Sequence, residues 1–166
     1  MANIRTIANQ HLERLDLEDN PQDIFDHIVW TIGDNHVNDI RYRLSVQNKI
    51  DLINRFVYQE PHPEIYEMED DTLAAIHPVV NAIFNTPIFK TTKDEPFILY
   101  LSTQQKDKKF ERLVYDNVHT AFDVLGAINT YYNDRTNGHP EDALGYYIYF
   151  GDLVPHEDGY IAQFAP

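Results

Sequence analysis

Apolar residues recur at steps of three and four through much of the first half of the chain, which predicts amphipathic helices. Residues 3–16 carry one such stripe. The segment 20–23, Asn-Pro-Gln-Asp, has the form of a helix N-cap followed by proline in the first turn. The helix predicted from there ends at Gly33. Its buried face consists of Ile24, Phe25, Ile28, Val29 and Ile32.

Two further helical regions follow before residue 86. Residues 36–59 have helical spacing throughout, and Ser45 inside them leaves open whether they form one helix or two. Asp71 can cap a helix that continues to Phe84, with Pro78 as a kink or a restart.

The hydrophobic period changes after Thr86. Residues 87–92 and 97–102 are predicted as two strands around a Lys-Asp-Glu turn, and 97–102 carries the stronger pattern. A long helix is predicted over 107–133, with Gly126 marking close packing against a neighbour. Its apolar stripe comprises Phe110, Leu113, Val114, Val118, Ala121, Phe122, Leu125, Ile128 and Tyr132.

The C-terminal residues predict a β-hairpin. Asn137-Gly138 ends the long helix, and the strands 145–151 and 159–164 flank a loop over 154–159. The predicted fold is α+β, with four to six helices packed with a small antiparallel sheet formed mainly by the C-terminal half. We expect a single domain over 1–166, mostly helical in 1–86, with a strand, a long helix and the hairpin in 87–166.

The charge balance restricts the partners that the chain can bind. It has 13 Lys and Arg against 27 Asp and Glu, a formal net charge of −14. Such a field repels nucleic-acid phosphates and anionic membranes, so we expect neither as a direct partner. A basic protein is the partner that this charge favours.

The chain also contains no cysteine, no run of 18 apolar residues and no apolar stretch typical of a secretory signal at its N-terminus. These features exclude disulfides and thiol chemistry, and they predict a cytoplasmic protein without a membrane helix.

The acidic residues are concentrated in two stretches without any base. No Lys or Arg occurs between Arg55 and Lys90, and none follows Arg135. Surfaces adapted only for solubility intersperse both signs, so these stretches indicate binding. Exposed tyrosines beside carboxylates are typical of protein interfaces. We therefore predict partner binding by Glu64, Glu67, Glu69, Asp70, Asp71, Glu141, Asp142, Tyr147, Tyr149, Glu157 and Asp158.

The function that these residues favour is a protein-binding inhibitor that occludes a basic surface. Its carboxylates could stand in for phosphates, as a DNA mimic does on a nuclease or another nucleic-acid enzyme. Small acidic inhibitors of phage anti-defence systems and toxin-immunity proteins are analogous in class. No phosphate-binding loop, nucleophile elbow or zinc-protease motif occurs, and we predict no catalytic residue and no cofactor.

Two alternatives remain open. One is a metal-assisted hydrolase that uses a His and a carboxylate four residues apart on each of two helices. Its ligands would be Asp23, His27, His119 and Asp123. The other is an accessory subunit without chemistry, which would expose a large apolar patch.

Overall fold

A mixed six-stranded sheet organises the part of the chain that the structure describes. The structure is a computed structural model, and it describes residues 12–13, 17–32, 41–42, 82–104 and 109–166. Its elements in chain order are a 3-10 helix Pro21–His27, β1 Ile28–Thr31, β2 Arg41–Tyr42, β3 Phe97–Gln104, β4 Lys109–Tyr115, α1 Ala121–Thr136, α2 Glu141–Leu144, β5 Tyr149–His156 and β6 Gly159–Ala165. Residues 82–84 are also helical.

The strands lie in the order β2-β1-β5-β6-β3-β4. β3 and β6 run parallel, and the other neighbouring strands are antiparallel. The predicted fold of four to six helices on a small antiparallel sheet is therefore wrong. Within the described residues α1 is the only α-helix longer than four residues, and the sheet is mixed and wider than expected.

The helix predicted to follow the Asn20 cap begins at the expected residue but ends at His27. Pro21–His27 is a 3-10 helix, and the chain then extends into β1. The segment Ile-Val-Trp-Thr explains the change, because β-branched and aromatic residues favour a strand once a sheet edge is available. The helical prediction for 36–59 is contradicted at Arg41–Tyr42, which forms β2, and its other residues lie outside the described ranges.

The helix predicted over 107–133 is in fact a strand followed by a shorter helix. β4 occupies Lys109–Tyr115, and α1 begins only at Ala121. Thr120 caps α1: its Oγ1 accepts from the N–H of Asp123 at 3.1 Å, and the Asp123 carboxylate accepts from the N–H of Thr120 at 3.0 Å. This reciprocal capping box fixes the start of the helix.

Other local predictions are confirmed. Phe97–Gln104 is a strand, and β5 and β6 form a C-terminal hairpin. The bounds of its first strand were wrong: β5 runs over Tyr149–His156 and not 145–151, and the turn is Glu157-Asp158 and not the longer loop 154–159. Asn137 ends α1 in the left-handed conformation at φ 55°. Residues 87–92, by contrast, form no strand.

α1 packs on one face of the sheet, which we call the inner face. It buries Ala121, Val124, Leu125, Ile128 and Tyr132, and the strands contribute Leu99, Leu101, Leu153 and Ala162 to the same core. The 3-10 helix adds Phe25, whose ring lies 5.8 Å from that of Phe150. The opposite, outer face includes Tyr100, paired with Arg112 of β4 and Ile161 of β6. No helix in the described ranges is long and apolar enough to cross a membrane.

Candidate partner-binding surface

Three exposed tyrosines and two carboxylates lie together where α2 leads into β5. Tyr146, Tyr147 and Tyr149 are 88%, 40% and 48% exposed. Glu141 and Asp142 are exposed in the first turn of α2. We call these five residues the tyrosine–carboxylate surface. Exposure of three large side chains within four positions is costly in water, which is typical of a binding site.

The backbone of the tyrosine–carboxylate surface is fixed at several points. Leu144 is fully buried, and Gly145 reverses the chain at φ 61°. The N–H of Gly145 donates to the carbonyl of Glu141 at 2.8 Å, and the N–H of Ile32 in the adjoining segment donates to that of Ile148 at 2.9 Å. The side chains are therefore held on an ordered backbone, so a partner that binds them orders little new chain.

The described charges around this surface are predominantly negative. His139 is a nearby basic side chain, with its Nδ1 3.4 Å from Oε1 of Glu141. Arg135 is engaged elsewhere: its Nη1 lies 3.8 Å from Oε2 of Glu111, and its guanidinium lies over the ring of Tyr131. Exposed tyrosines therefore lie near the exposed carboxylates of Glu141, which has His139 beside it, and Asp142.

Glu157 and Asp158, predicted as part of the same surface, have internal partners instead. Arg112 binds Asp158 through two nitrogens, with Nη2 at 2.5 Å and Nε at 3.1 Å from Oδ2. The Tyr100 hydroxyl donates to Oδ1 of Asp158 at 2.6 Å and to Oε2 of Glu157 at 3.1 Å. The segment after Arg135 contains no base, but Asp158 still has a basic partner. The sheet order places β3 beside β6 and β4 beside β3, which brings Arg112 of β4 close to the β5–β6 turn.

The two main partners in this cluster have shifted pKa values. Hydrogen bonds from Arg112 and then Tyr100 lower the pKa of Asp158 to about 2. The hydrogen bond to Asp158, followed by burial and the bond to Glu157, raises the pKa of Tyr100 to about 12. Asp158 therefore stays ionised at neutral pH while its charge is matched by Arg112, so it is a poor point of attachment for a basic partner.

The two groups of predicted residues lie at opposite ends of β5. This strand has eight residues, and at roughly 3.3 Å per residue its ends are about 23 Å apart. The structure therefore brings together Glu141, Asp142, Tyr147 and Tyr149 but not Glu157 and Asp158. The remaining predicted residues, Glu64, Glu67, Glu69, Asp70 and Asp71, lie outside the described ranges.

Tyr146 belongs to the surface although the site prediction did not include it. In the predicted strand 145–151, alternation would place Tyr146 on the face opposite Tyr147. β5 begins only at Tyr149, so that alternation does not apply to the turn before it. Gly145 was the sequence signal for this turn, because glycine commonly ends a helix at positive φ. The strand then begins only after the turn, at Tyr149.

The metal alternative gains no support from the described residues. The Asp123 carboxylate accepts from the backbone N–H of His119 at 2.9 Å as well as that of Thr120, so it is used in capping. The described ranges contain no group of three or more His, Cys, Asp or Glu that could hold a metal ion. Asp23 and His27 lie in the 3-10 helix, and the structure does not describe the side chain of His27.

Comparison with protein-family models finds no match to this chain. Neither curated proteins nor solved structures give a match.

Proposed function

We propose that the protein is an acidic inhibitor that binds a basic protein through the tyrosine–carboxylate surface and occludes the partner's cationic face. The observation that carries the proposal is the exposure of three tyrosines on an ordered backbone beside Glu141 and Asp142. Tyrosine supplies a rigid apolar body with a polar tip, and it is enriched among residues that dominate binding energy. The net charge of −14 favours rapid association with a cationic surface.

Nucleic-acid enzymes are the partner class that this charge fits best, because their substrate-binding surfaces are basic. Occlusion of such a surface requires no catalytic group on the inhibitor. The more specific DNA-mimic hypothesis needs carboxylates spaced like phosphates. It depends on Glu64, Glu67, Glu69, Asp70 and Asp71, because Asp158 is neutralised by Arg112.

Affinity capture with three versions of the protein as bait tests the proposal. The baits are the wild type, a surface variant carrying Glu141→Gln, Asp142→Asn, Tyr146→Ala and Tyr147→Ala, and a control carrying Asp94→Asn and Asp116→Asn. The control carboxylates are also exposed but lie outside the surface. We expect the wild type and the control to retain the same basic protein in stoichiometric amount, and the surface variant to lose it.

The salt dependence of this capture separates the proposal from the accessory-subunit alternative. Raising the salt shortens the Debye length from about 10 Å near 0.1 M to about 3 Å near 1 M, so an electrostatic complex should dissociate. A partner retained equally by the surface variant, or held regardless of salt, would contradict the proposal. Salt-independent retention would instead indicate apolar binding, for which Phe110 and Val114 on β4 are exposed.

A further inference from the structure

A cavity of about 760 Å³ lies at the opposite end of the sheet from the tyrosine–carboxylate surface. It lies between residues 12–13, 17–18, 86–91 and 95–98 and the start of β6. Its described lining includes Glu13, Glu18 and Tyr160. Small-molecule sites typically have volumes of roughly 300–1,000 Å³. The cavity is therefore large enough for an organic ligand, and the proposed inhibitor surface does not use it.

Aromatic rings form part of the cavity lining. Phe97 and Tyr160 stack with ring centroids 5.4 Å apart and planes at 20°. Phe89 meets Phe97 edge to face at 4.9 Å and lies 5.9 Å from Tyr160. All three line the cavity, together with Leu17 and Ile88. Such a lining suits an apolar ligand body, and the faces of aromatic rings also attract cations.

The charged residues of the lining favour a positive ligand. Glu13, Glu18 and Glu95 are exposed and line the cavity, and Lys90 is the one base among the described lining residues. No salt bridge between described residues engages any of the three glutamates. Asp158 also lines the cavity, but Arg112 neutralises it. Among the described residues of the lining, these three carboxylates outnumber the single ammonium group of Lys90.

We propose that this cavity binds a small organic cation with an apolar body, such as an aryl or alkyl ammonium compound. The aromatic lining would bury the body, and the glutamates would stabilise the positive head. An anion of the same size would meet three like charges, so the cavity would reject it. The inference does not depend on the proposed inhibitor function, because its residues lie apart from the tyrosine–carboxylate surface.

Titration with benzyltrimethylammonium, followed by amide chemical shifts of the full chain, tests this inference. 3-Phenylpropionate is the matched anionic probe. We expect saturable shifts for the cation at Phe89, Phe97 and Gly159, and weaker or no shifts for the anion. Glu18→Gln combined with Glu95→Gln should raise the Kd for the cation about fivefold or more, because two exposed charges near the head are removed.

The variant Glu141→Gln with Asp142→Asn is the control, since it changes the charge by the same amount at the other end of the sheet. It should leave the Kd for the cation unchanged within about twofold. The inference is overturned if the cation gives no saturable shifts at the cavity up to about 10 mM. It is equally overturned if the anion binds as tightly as the cation. The same holds if the control variant weakens cation binding as much as Glu18→Gln with Glu95→Gln does.

Discussion

Tyr132 illustrates at the residue scale how a polar group is satisfied inside the core. Its ring is fully buried under the sheet, and its hydroxyl donates to the carbonyl of Ser102 at 2.7 Å. Burial of this side chain raises the pKa of its hydroxyl, so the group is a neutral donor at all ordinary pH values.

Replacing Tyr132 with Phe should lower the free energy of unfolding by about 1–2 kcal/mol, because a buried acceptor loses its donor. Tyr131→Phe is the matched control. Its hydroxyl donates to Glu111 in an exposed hydrogen bond, so we expect a loss below about 1 kcal/mol. Urea unfolding of both variants measures the difference. Equal losses would show that the bond to Ser102 does not contribute as the geometry indicates.

Asp158 gives a prediction about pH. Its pKa is lowered to about 2 in the folded protein, from an ordinary value of 3.8. Its stabilising contribution should therefore be complete above about pH 5 and should be lost as the pH falls through about 2. Carbon NMR titration of the carboxyl group should give a midpoint near 2, and Arg112→Gln should move that midpoint upward. A wild-type midpoint near 3.8 would contradict the pairing with Arg112.

The sequence predicted the surroundings of some residues better than those of others. The difference depends on how far along the chain the contacting residues lie. Tyr147 and Tyr149 are exposed as expected, because their exposure follows from the local turn and strand. Asp158 is not free, because Arg112 lies 46 positions away and meets it only through the arrangement of the sheet. Spacing within a segment carries no information about such a contact.

Two glycines show how the packing of each element depends on its neighbours. In β6, a Cβ on Gly159 would fall well inside contact distance of the backbone of Ile98. In α1, a Cβ on Gly126 would meet no atom of the described neighbours within 4 Å. The expectation that Gly126 marks close packing is therefore wrong, and the close approach occurs at Gly159, beside the parallel pairing of β3 and β6.

Alanine at these two positions should have opposite effects. Gly159→Ala should destabilise the protein by more than about 2 kcal/mol, because a backbone shift between β3 and β6 is needed to accommodate the methyl group. Gly126→Ala should stabilise it by up to about 1 kcal/mol, because alanine is the better helix former. Thermal and urea unfolding provide both values. A neutral Gly159→Ala would show that β6 does not approach β3 as closely as described.

At the scale of elements, the sequence correctly predicted the helices and strands whose residue patterns lie within a single short segment. The Phe97–Gln104 strand and the C-terminal hairpin have compact β-rich segments with turn residues at their ends. β4 was assigned to the long helix because its apolar residues continue the helical spacing of α1. Thr120, three residues before Asp123, was the signal for the true boundary, because this spacing forms a capping box.

The arrangement of the whole sheet could not be read from local patterns. Placing β6 between β5 and β3, with β3 and β6 parallel, depends on contacts between segments far apart in the chain. This topology determines the functional layout. It places the tyrosine–carboxylate surface at one end of β5, and Asp158 and the cavity at the other. The sequence left open whether the predicted acidic residues share one face, and the described ones are divided between these two places.

The most direct test of the proposed function is the affinity of the purified, captured partner for wild-type protein and for a Tyr146→Ala, Tyr147→Ala variant, each measured at low and high salt. We predict that salt weakens both complexes and that the double substitution costs about 2 kcal/mol, roughly a 30-fold rise in Kd. The Asp94→Asn variant should bind like the wild type. If the tyrosine variant keeps wild-type affinity while remaining folded, the tyrosine–carboxylate surface is not the binding site.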